Sequence, residues 1–303
     1  MAAAHSRALT AYLLLTLASA FWAFNAVIAR ALHEDISAVA LSFWRWAIPV
    51  AVALPLVARE LPGALPAIRR GWRFVVLLGL IGTALHSAVM YWALQYTIAI
   101  HVQLFNSIVP MGVMLFVWLA YGSRPTRAES LGLVVSVAGV VLIIGQGEVT
   151  RILALDFNKG DVVAVAAMVV WAVFTALISK RPPEISVWLL TFVTGVVGLA
   201  ALTPLYLWEL ATTSFSIGYP PAVWAGACYM GIIGTLVANS FLSIGIDRIG
   251  PSRASLFTHL VPVFGALFAM TFLGEQLRWF HVAGFALVLA GLAICNRTRM
   301  RAG

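Results

Sequence analysis

Long apolar segments alternate with short polar ones along the whole 303-residue chain. Each apolar segment is continuous and lacks the strict alternation of a half-buried strand, so helices are favoured. A helix needs roughly 20 apolar residues to cross a bilayer, where the backbone must satisfy its own hydrogen bonds. The segments predict an all-α membrane protein of ten transmembrane helices, at about 8–29, 38–58, 74–96, 98–120, 131–146, 161–179, 187–208, 222–245, 253–273 and 279–296.

The first twenty residues have the features of a cleavable signal peptide, because His5 and Arg7 precede an apolar run that ends in Ala18, Ser19 and Ala20. The apolar stretch nevertheless continues to residue 29, which is long enough to span the membrane. We therefore expect a retained first helix.

Composition agrees with lipid as the solvent, since 62% of the residues are hydrophobic, 10% are charged and the mean hydropathy is +0.98. The net charge of +8 comes from single or paired basic residues between the spans, which indicates membrane orientation and not nucleic-acid binding. Cys228 and Cys295 fall in different spans and are read as small core residues.

The basic residues are distributed unequally between the two sides of the membrane. With a cytoplasmic amino terminus, fourteen Lys and Arg residues lie on that side and four lie opposite, namely Arg30, Arg151, Lys159 and Arg278. Because basic loops stay in the cytoplasm, we expect a multi-pass protein of the bacterial inner membrane with both termini cytoplasmic.

The two halves of the chain repeat. The run from Gly79 to Thr83 has the pattern Gly-x-Ile-Gly-Thr and recurs 152 residues later from Gly231 to Thr235. A shift of 149 matches Trp22 to Trp171. The repeat divides the chain into a first five-helix repeat at 1–147, a linker at 148–159 and a second five-helix repeat at 160–303.

Five helices per repeat is an odd number, so the second repeat enters the membrane from the opposite side. Inverted repeats are common in secondary transporters, whose substrate site lies near the midplane between the repeats and opens alternately to each side. A duplication kept only for packing is the alternative.

A known family shares several of these features. Phe272, Leu273, Gly274 and Glu275, followed by Gly284 and Gly291, resemble the LGE…G…G signature of the drug/metabolite transporter superfamily in its EamA-type branch, and the fit extends to Trp22, Asn25, Arg45, Pro110 and Pro262. The Trp-rich first half and the stretch 86–91 look most similar to bacterial aromatic amino-acid exporters of the YddG type. The first repeat departs from the signature, carrying Ser123 where the second carries Glu275.

This resemblance implies a ten-helix exporter of amino acids or related small metabolites. Its central cavity would be lined mainly by predicted helices 1, 3, 4, 6, 8 and 9. The expected partners are an amino-acid substrate and the lipid bilayer, with no nucleic acid and a monomeric state. Transport itself is reached from the residues alone, whereas the substrate class comes from the resemblance.

Sequence motifs for other chemistry are missing. Neither Lys159 nor Lys180 belongs to a GxxxxGK[ST] phosphate-binding loop, and the sequence contains no HExxH or GxSxG motif. We expect no catalytic residues, no metal and no cofactor, so the chain is not expected to be an enzyme. A polytopic membrane enzyme, a structural subunit and a channel remain as alternative interpretations.

Polar and aromatic residues inside the predicted spans are candidates for the substrate cavity. Thr83, His86 and Met90 share one face of predicted helix 3 by i, i+3, i+7 spacing. The candidates for substrate binding are Trp22, Asn25, Thr83, His86, Met90, Tyr91, Trp92, Gln103, Trp171, Thr235, Asn239, Ser255 and His259. Helix–helix hydrogen bonds or core packing are the alternative role for each.

Pro110 and Pro262 occupy equivalent positions in the two repeats, and each removes a hydrogen bond within its helix. We expect both to act as gating hinges, with a static kink as the alternative.

Few ionisable groups fall deep within the spans. Asp161, Glu209 and Asp247 are predicted to be interfacial, which leaves His86 and His259 as protonation sites within the membrane and leaves uncoupled transport open. Arg45 lies about seven residues into its span, roughly 10 Å from the end. This position favours snorkelling or bonds to backbone carbonyls over binding of a substrate carboxylate.

Overall fold

The computed structural model describes residues 2–122, 126–154, 156–178, 185–212, 218–249, 257–258 and 260–299. Within these ranges every regular element is helical. The helices are α1 (Ala2–Ala31), α2 (Ala38–Val57), α3 (Leu61–Arg70), α4 (Trp72–Leu94), α5 (Ala99–Tyr121), α6 (Arg127–Ile144), α7 (Val149–Ala154), α8 (Lys159–Ile178), α9 (Val187–Thr212), α10 (Pro221–Cys228, Tyr229–Val237 and Ala238–Ile249), α11 (Leu260–Leu273) and α12 (Trp279–Arg299).

In the described part of the chain, eight helices are long and apolar enough to cross a membrane, and they coincide with the first eight predicted spans. The other two predicted spans correspond to shorter apolar helices, Leu260–Leu273 and Trp279–Ile294. The predicted start of the ninth span, at 253, lies outside the described residues. The short helices α3 and α7 were not predicted, since each has too few residues to form a separate hydrophobic segment.

Two membrane helices contain a π-helical segment in the middle, and the sequence repeat relates the two segments. In α4 the π-helix covers Gly79–Leu85, and in α10 it covers Tyr229–Val237. The shift of 152 that relates the Gly-x-Ile-Gly-Thr runs carries residues 79–85 onto 231–237. The sequence repeat is therefore also a repeat of local backbone geometry, and π-helical segments of this kind often lie at functional sites.

These π-helical segments pack across the two halves in equivalent ways. A Cβ placed on Gly79 would lie 2.6 Å from the Cβ of Val197 in α9, and one placed on Gly231 would lie 3.4 Å from the Cβ of Ile48 in α2. Ile48 and Val197 are themselves related by the shift of 149. Each half thus inserts a glycine against the matching helix of the other half, as in a self-complementary two-fold interface.

The crossing of α6 and α12 shows the same exchange. A Cβ on Gly139 would lie 2.5 Å from the carbonyl oxygen of Gly284, and a Cβ on Gly291 would lie 2.4 Å from that of Gly132. Both pairs are exchanged by the 152-residue shift. The hydroxyl of Ser136 donates a 3.2 Å bond to the carbonyl 152 residues later. Small residues let the two backbones approach closely here.

Candidate functional site

A cavity of about 1050 Å³ lies between the two halves of the protein. Helices α1, α2, α4, α5, α8, α9, α10 and α11 line it, which includes all six helices expected from the family resemblance. Its walls continue to Glu129 at the start of α6 and to Ile178 at the end of α8, so the cavity reaches one end of the bundle. Its volume suits a small organic solute.

Most of the predicted site residues line this cavity. They are Trp22, Asn25, Thr83, His86, Met90, Tyr91, Gln103, Trp171, Thr235 and Asn239, together with Pro110 and Pro262. Trp92 does not, because it points away on α4, is 42% exposed and contacts the ring of Tyr96. Ser255 and His259 lie outside the described residues.

Aromatic rings form one wall of the cavity. The imidazole of His86 lies 4.7 Å from the ring of Trp171, and Trp171 stacks on Phe174 with centroids 4.9 Å apart. We call these three residues the aromatic wall. Phe174 was missed in the sequence, although it matches Asn25 by the 149-residue shift and that relation could have revealed it.

Arg45 also lines the cavity, which differs from the role favoured by its position in the sequence. Its guanidinium donates a 3.1 Å bond to the hydroxyl of Ser87 and lies 5.3 and 5.7 Å from the ring centres of Trp46 and Tyr91. Its Nε has no hydrogen-bond partner, and Arg45 takes part in none of the ion pairs formed among the described residues. Side chains and not backbone carbonyls therefore support this charge.

Several polar candidates make helix–helix hydrogen bonds, as the alternative interpretation anticipated. Gln103 donates a 2.5 Å bond to the carbonyl of Ala23, and the amide nitrogen of Asn25 donates a 3.5 Å bond to the carbonyl of Gly234. The Asn25 Oδ1 and the hydroxyl of Ser107 nevertheless have no partner. Hydrogen-bonding capacity therefore remains in the walls of the cavity.

Both prolines lie in helices that line the cavity. A 3₁₀ turn over Asn106–Ile108 interrupts α5 and ends two residues before Pro110, whereas Pro262 is buried near the start of α11. A helix interrupted in this way can bend at low cost. The hinge role of both prolines stays a prediction.

Away from the cavity, four polar side chains meet at the N-terminal turns of α5, α8 and α12. Asp161 accepts hydrogen bonds from the hydroxyl of Thr97 and, at 2.8 Å, from the Nδ1 of His101. The Nε2 atoms of His101 and His281 lie 2.9 Å apart. We call these residues the Asp161 cluster. All four are buried, and Asp161, which was predicted to be interfacial, is buried completely in the first turn of α8.

No pattern in the sequence predicts the Asp161 cluster. His101 and Asp161 are 60 residues apart, and His281 is 180 residues from His101. No repeat or motif relates these positions, so only the folding of three helix ends toward one point reveals the contact.

Glu275, the acidic residue of the LGE signature, caps α5. Its two carboxylate oxygens accept hydrogen bonds from the backbone amides of Ala99 and Ile100, at 2.7 and 2.9 Å. A carboxylate is favoured there by the unpaired amides and by the helix dipole. A smaller pocket of about 470 Å³ lies beside it and is lined by Arg30, Glu275, Arg278, His101 and His281 among others.

Comparison with known proteins identifies relatives along nearly the whole chain. The EamA-like transporter family matches residues 9–145 and 158–297. The uncharacterized transporter YyaM of Bacillus subtilis is 26% identical over 82% of this chain and 81% of its own. An uncharacterized transporter of Archaeoglobus fulgidus is 25% identical over 93% and 95%, respectively. A probable terminal-alkyne amino-acid exporter of Streptantibioticus cattleyicolor is 25% identical over 81% and 80%.

A solved crystal structure that is 21% identical to this chain superposes with a TM-score of 0.58 and covers 96% of this chain and 97% of its own. This likeness concerns the fold, whereas the family match covers both sequence repeats. Together with the helices long enough to cross a membrane, these matches lead to one conclusion. The chain is a multi-pass membrane transporter and belongs to the EamA-like transporter family.

Proposed function

We propose that this transporter is a secondary carrier that exports amino acids, aromatic ones included, across the bacterial inner membrane by alternating access. The observation that carries the proposal is the aromatic wall in a central cavity that also contains the guanidinium of Arg45 without a carboxylate partner among the described residues.

The cavity offers a separate partner for each part of an amino acid. Arg45 suits a carboxylate, because an ion pair with hydrogen bonds is stronger than a neutral hydrogen bond. The free acceptors of Asn25 and Ser107 suit an ammonium group. The aromatic wall suits an aromatic side chain, and such a contact contributes about 0.5–1.5 kcal/mol beyond area burial. The remaining predicted cavity residues would complete the site.

The internal symmetry supports alternating access. The exchanged glycine contacts at the π-helical segments and at the α6–α12 crossing fit two inverted five-helix repeats, at 1–147 and 160–303, joined by the linker 148–159. In this arrangement ten helices cross the membrane. The cavity reaches the end where α6 begins, which the basic residues favour as the cytoplasmic end, so the present conformation would face the cytoplasm.

The relatives bear on the substrate class. One of them is named as a probable terminal-alkyne amino-acid exporter, which agrees with an amino-acid substrate. Because the sequence contains no phosphate-binding loop, existing gradients and not ATP would drive the transport.

Counterflow in proteoliposomes tests this proposal directly. Vesicles containing the purified protein are loaded with unlabelled amino acids, and uptake of labelled phenylalanine, tryptophan or threonine is measured with and without a proton gradient. We expect transient accumulation above the level of protein-free vesicles. Accumulation of none of the amino acids would contradict the substrate class, and uptake without saturation or counterflow would indicate a channel.

A matched pair of variants links the flux to the cavity. We expect Trp171→Ala to reduce phenylalanine counterflow, whereas Trp208→Ala, a change of the same size at a side chain that is 68% exposed, should leave it unchanged. Equal loss in both variants would point to a general effect on the protein.

A further inference from the structure

The hydrogen bonds of the Asp161 cluster define where its protons lie. The backbone amide of Arg278 donates a 3.0 Å bond to the Nδ1 of His281. A neutral imidazole has one donor and one acceptor nitrogen, so His281 carries its proton on Nε2. That proton faces the Nε2 of His101 at 2.9 Å, which must therefore accept it.

The second imidazole follows from the first. Since its Nε2 accepts, His101 carries its proton on Nδ1, and this proton is donated to Asp161 at 2.8 Å. Thr97 donates a further hydrogen bond to the same carboxylate oxygen. The arrangement is self-consistent with Asp161 ionised and both rings neutral, which gives the cluster one buried negative charge.

One proton would neutralise this charge, and the geometry restricts where it can bind. Each neutral imidazole has one nitrogen without a proton, so either ring can accept it. With His101 doubly protonated, its Nε2–H would face the Nε2–H of His281. To avoid this clash His281 must move its proton to Nδ1, which then meets the amide N–H of Arg278. The hydrogen bond from Arg278 is then lost, and it is lost as well if the proton binds His281 itself, because Nδ1 becomes a donor.

The segment that would move is the one that caps α5. Arg278 lies three residues after Glu275, whose carboxylate holds the amides of Ala99 and Ile100. Loss of the Arg278 hydrogen bond therefore loosens the segment 274–278, which holds the start of α5 through Glu275. The next residues of α5, from Val102 onward, line the central cavity.

Other charged groups surround the cluster from each neighbouring element. Arg30 from α1 donates a 2.8 Å bond to the carbonyl of Leu94, and Lys159 from α8 lies over the ring of Tyr96. Glu275 and Arg278 come from the segment before α12. His101 and His281 line the smaller pocket with Arg30, so a proton can reach them without entering the central cavity.

We propose that the Asp161 cluster is a proton-binding site, separate from the substrate cavity. Binding of one proton there releases the Glu275 cap and opens the end of the transporter at which α5, α8 and α12 begin, which is closed in the present conformation. The proton binds more tightly to the open form, so lower pH favours opening. The buried Oδ2 of Asp161, which has no partner, indicates a site that is incomplete in the closed form. This inference does not depend on which solute is carried.

Two measurements on the full-length protein in lipid nanodiscs, made without substrate, test the proposal. Nitrogen-15 NMR of histidine-labelled protein reports the protonation of each ring from about pH 8 to about pH 4. Hydrogen–deuterium exchange, corrected for its intrinsic pH dependence, reports the capping of the Ala99 and Ile100 amides. We expect an imidazolium signal from the pair at low pH and, with it, exchange of these amides about tenfold faster, as for loss of one hydrogen bond.

Variants separate this role from simple structural support. The double variant His101→Gln/His281→Gln can still donate to Asp161 and accept the Arg278 bond, but neither side chain can become charged, so its exchange should not respond to pH. His33→Gln is the matched control, because His33 bonds the carbonyl of Arg30 outside the cluster and its loss should leave the response intact. The proposal is overturned if both rings stay neutral throughout, if a ring becomes charged without faster exchange of these amides, or if the double variant responds as the natural protein does.

Discussion

At the scale of single residues, Arg45 carries a positive charge within a membrane helix. A central arginine costs at least about 2.5 kcal/mol on insertion scales. Cation–π contacts to Trp46 and Tyr91 offset about 0.5–2 kcal/mol each, and the hydrogen bond to Ser87 offsets a further part of the cost. The Nε without a partner leaves part of the cost in place. A solute carboxylate would supply the missing partner.

Arg45→Gln should therefore weaken transport of solutes that have a carboxylate. A hydrogen bond to a charged group contributes about 1.5–3 kcal/mol, so we expect the apparent kcat/KM for phenylalanine to fall about 10- to 100-fold. Transport of phenylalaninamide, which has no carboxylate, should change little. The ratio of the two rates in proteoliposomes is the measurement.

Arg59→Gln is the matched control, since Arg59 is exposed after the end of α2 and lies outside the cavity. It should leave both rates unchanged. If Arg45→Gln lowers both rates by the same factor, Arg45 has a structural role and the proposed carboxylate contact is wrong.

At the scale of the helices, close backbone contact depends on glycines at equivalent positions of the two halves. Gly139 meets a backbone carbonyl of α12, and Gly291 meets one of α6. Backbone oxygens cannot rotate away as a flexible side chain can, so an added methyl group has to push the two helices apart.

Gly139→Ala should destabilise the protein by about 1–3 kcal/mol, the usual cost of overpacking. Gly291→Ala should cost about as much, because the two sites are related by the repeat. Thermal unfolding in detergent, followed by tryptophan fluorescence, measures both changes.

The control is Gly63→Ala, since nothing lies within 4 Å of a Cβ at this position of α3. Alanine is the better helix former by about 1 kcal/mol, so this variant should be as stable as the natural protein or slightly more stable. A large difference between Gly139→Ala and Gly291→Ala would count against the equivalence of the two contacts.

At the scale of the whole molecule, the exchanged contacts and the basic residues support the proposed inverted arrangement in the membrane. In this proposal, two five-helix repeats of opposite orientation would place both termini on the cytoplasmic side and the linker 148–159 on the other side. Parallel repeats of five helices would need one further crossing between them, which would put the two termini on opposite sides of the membrane. Parallel repeats with both termini on one side would need an even number of crossings in each half.

Fusions to alkaline phosphatase, which is active only outside the cytoplasm, distinguish these arrangements. We expect activity when the enzyme follows Glu148 and none when it follows Gly303 or Gly122. Activity at the C-terminal fusion would refute the inverted arrangement, and inactivity at Glu148 would place the linker on the cytoplasmic side.

The sequence by itself determined the positions of the spans, the repeat and most of the cavity lining. Span positions follow from hydropathy, because lipid demands about 20 apolar residues for each crossing. The polar faces of α4 and α5 were recognisable because 3.6-residue periodicity brings residues such as Thr83 and His86 to one side. Internal similarity then indicated which residues occupy equivalent positions in the two halves.

Only the tertiary structure decided which residues meet across helices. The sequence indicated neither that the charge of Arg45 faces the cavity nor that Trp92 points away from it. The Asp161 cluster joins the ends of three helices far apart in the chain, and its hydrogen bonds exist only when those ends pack together. Local patterns record periodicity and length, whereas contacts of this kind depend on how helices rotate and cross.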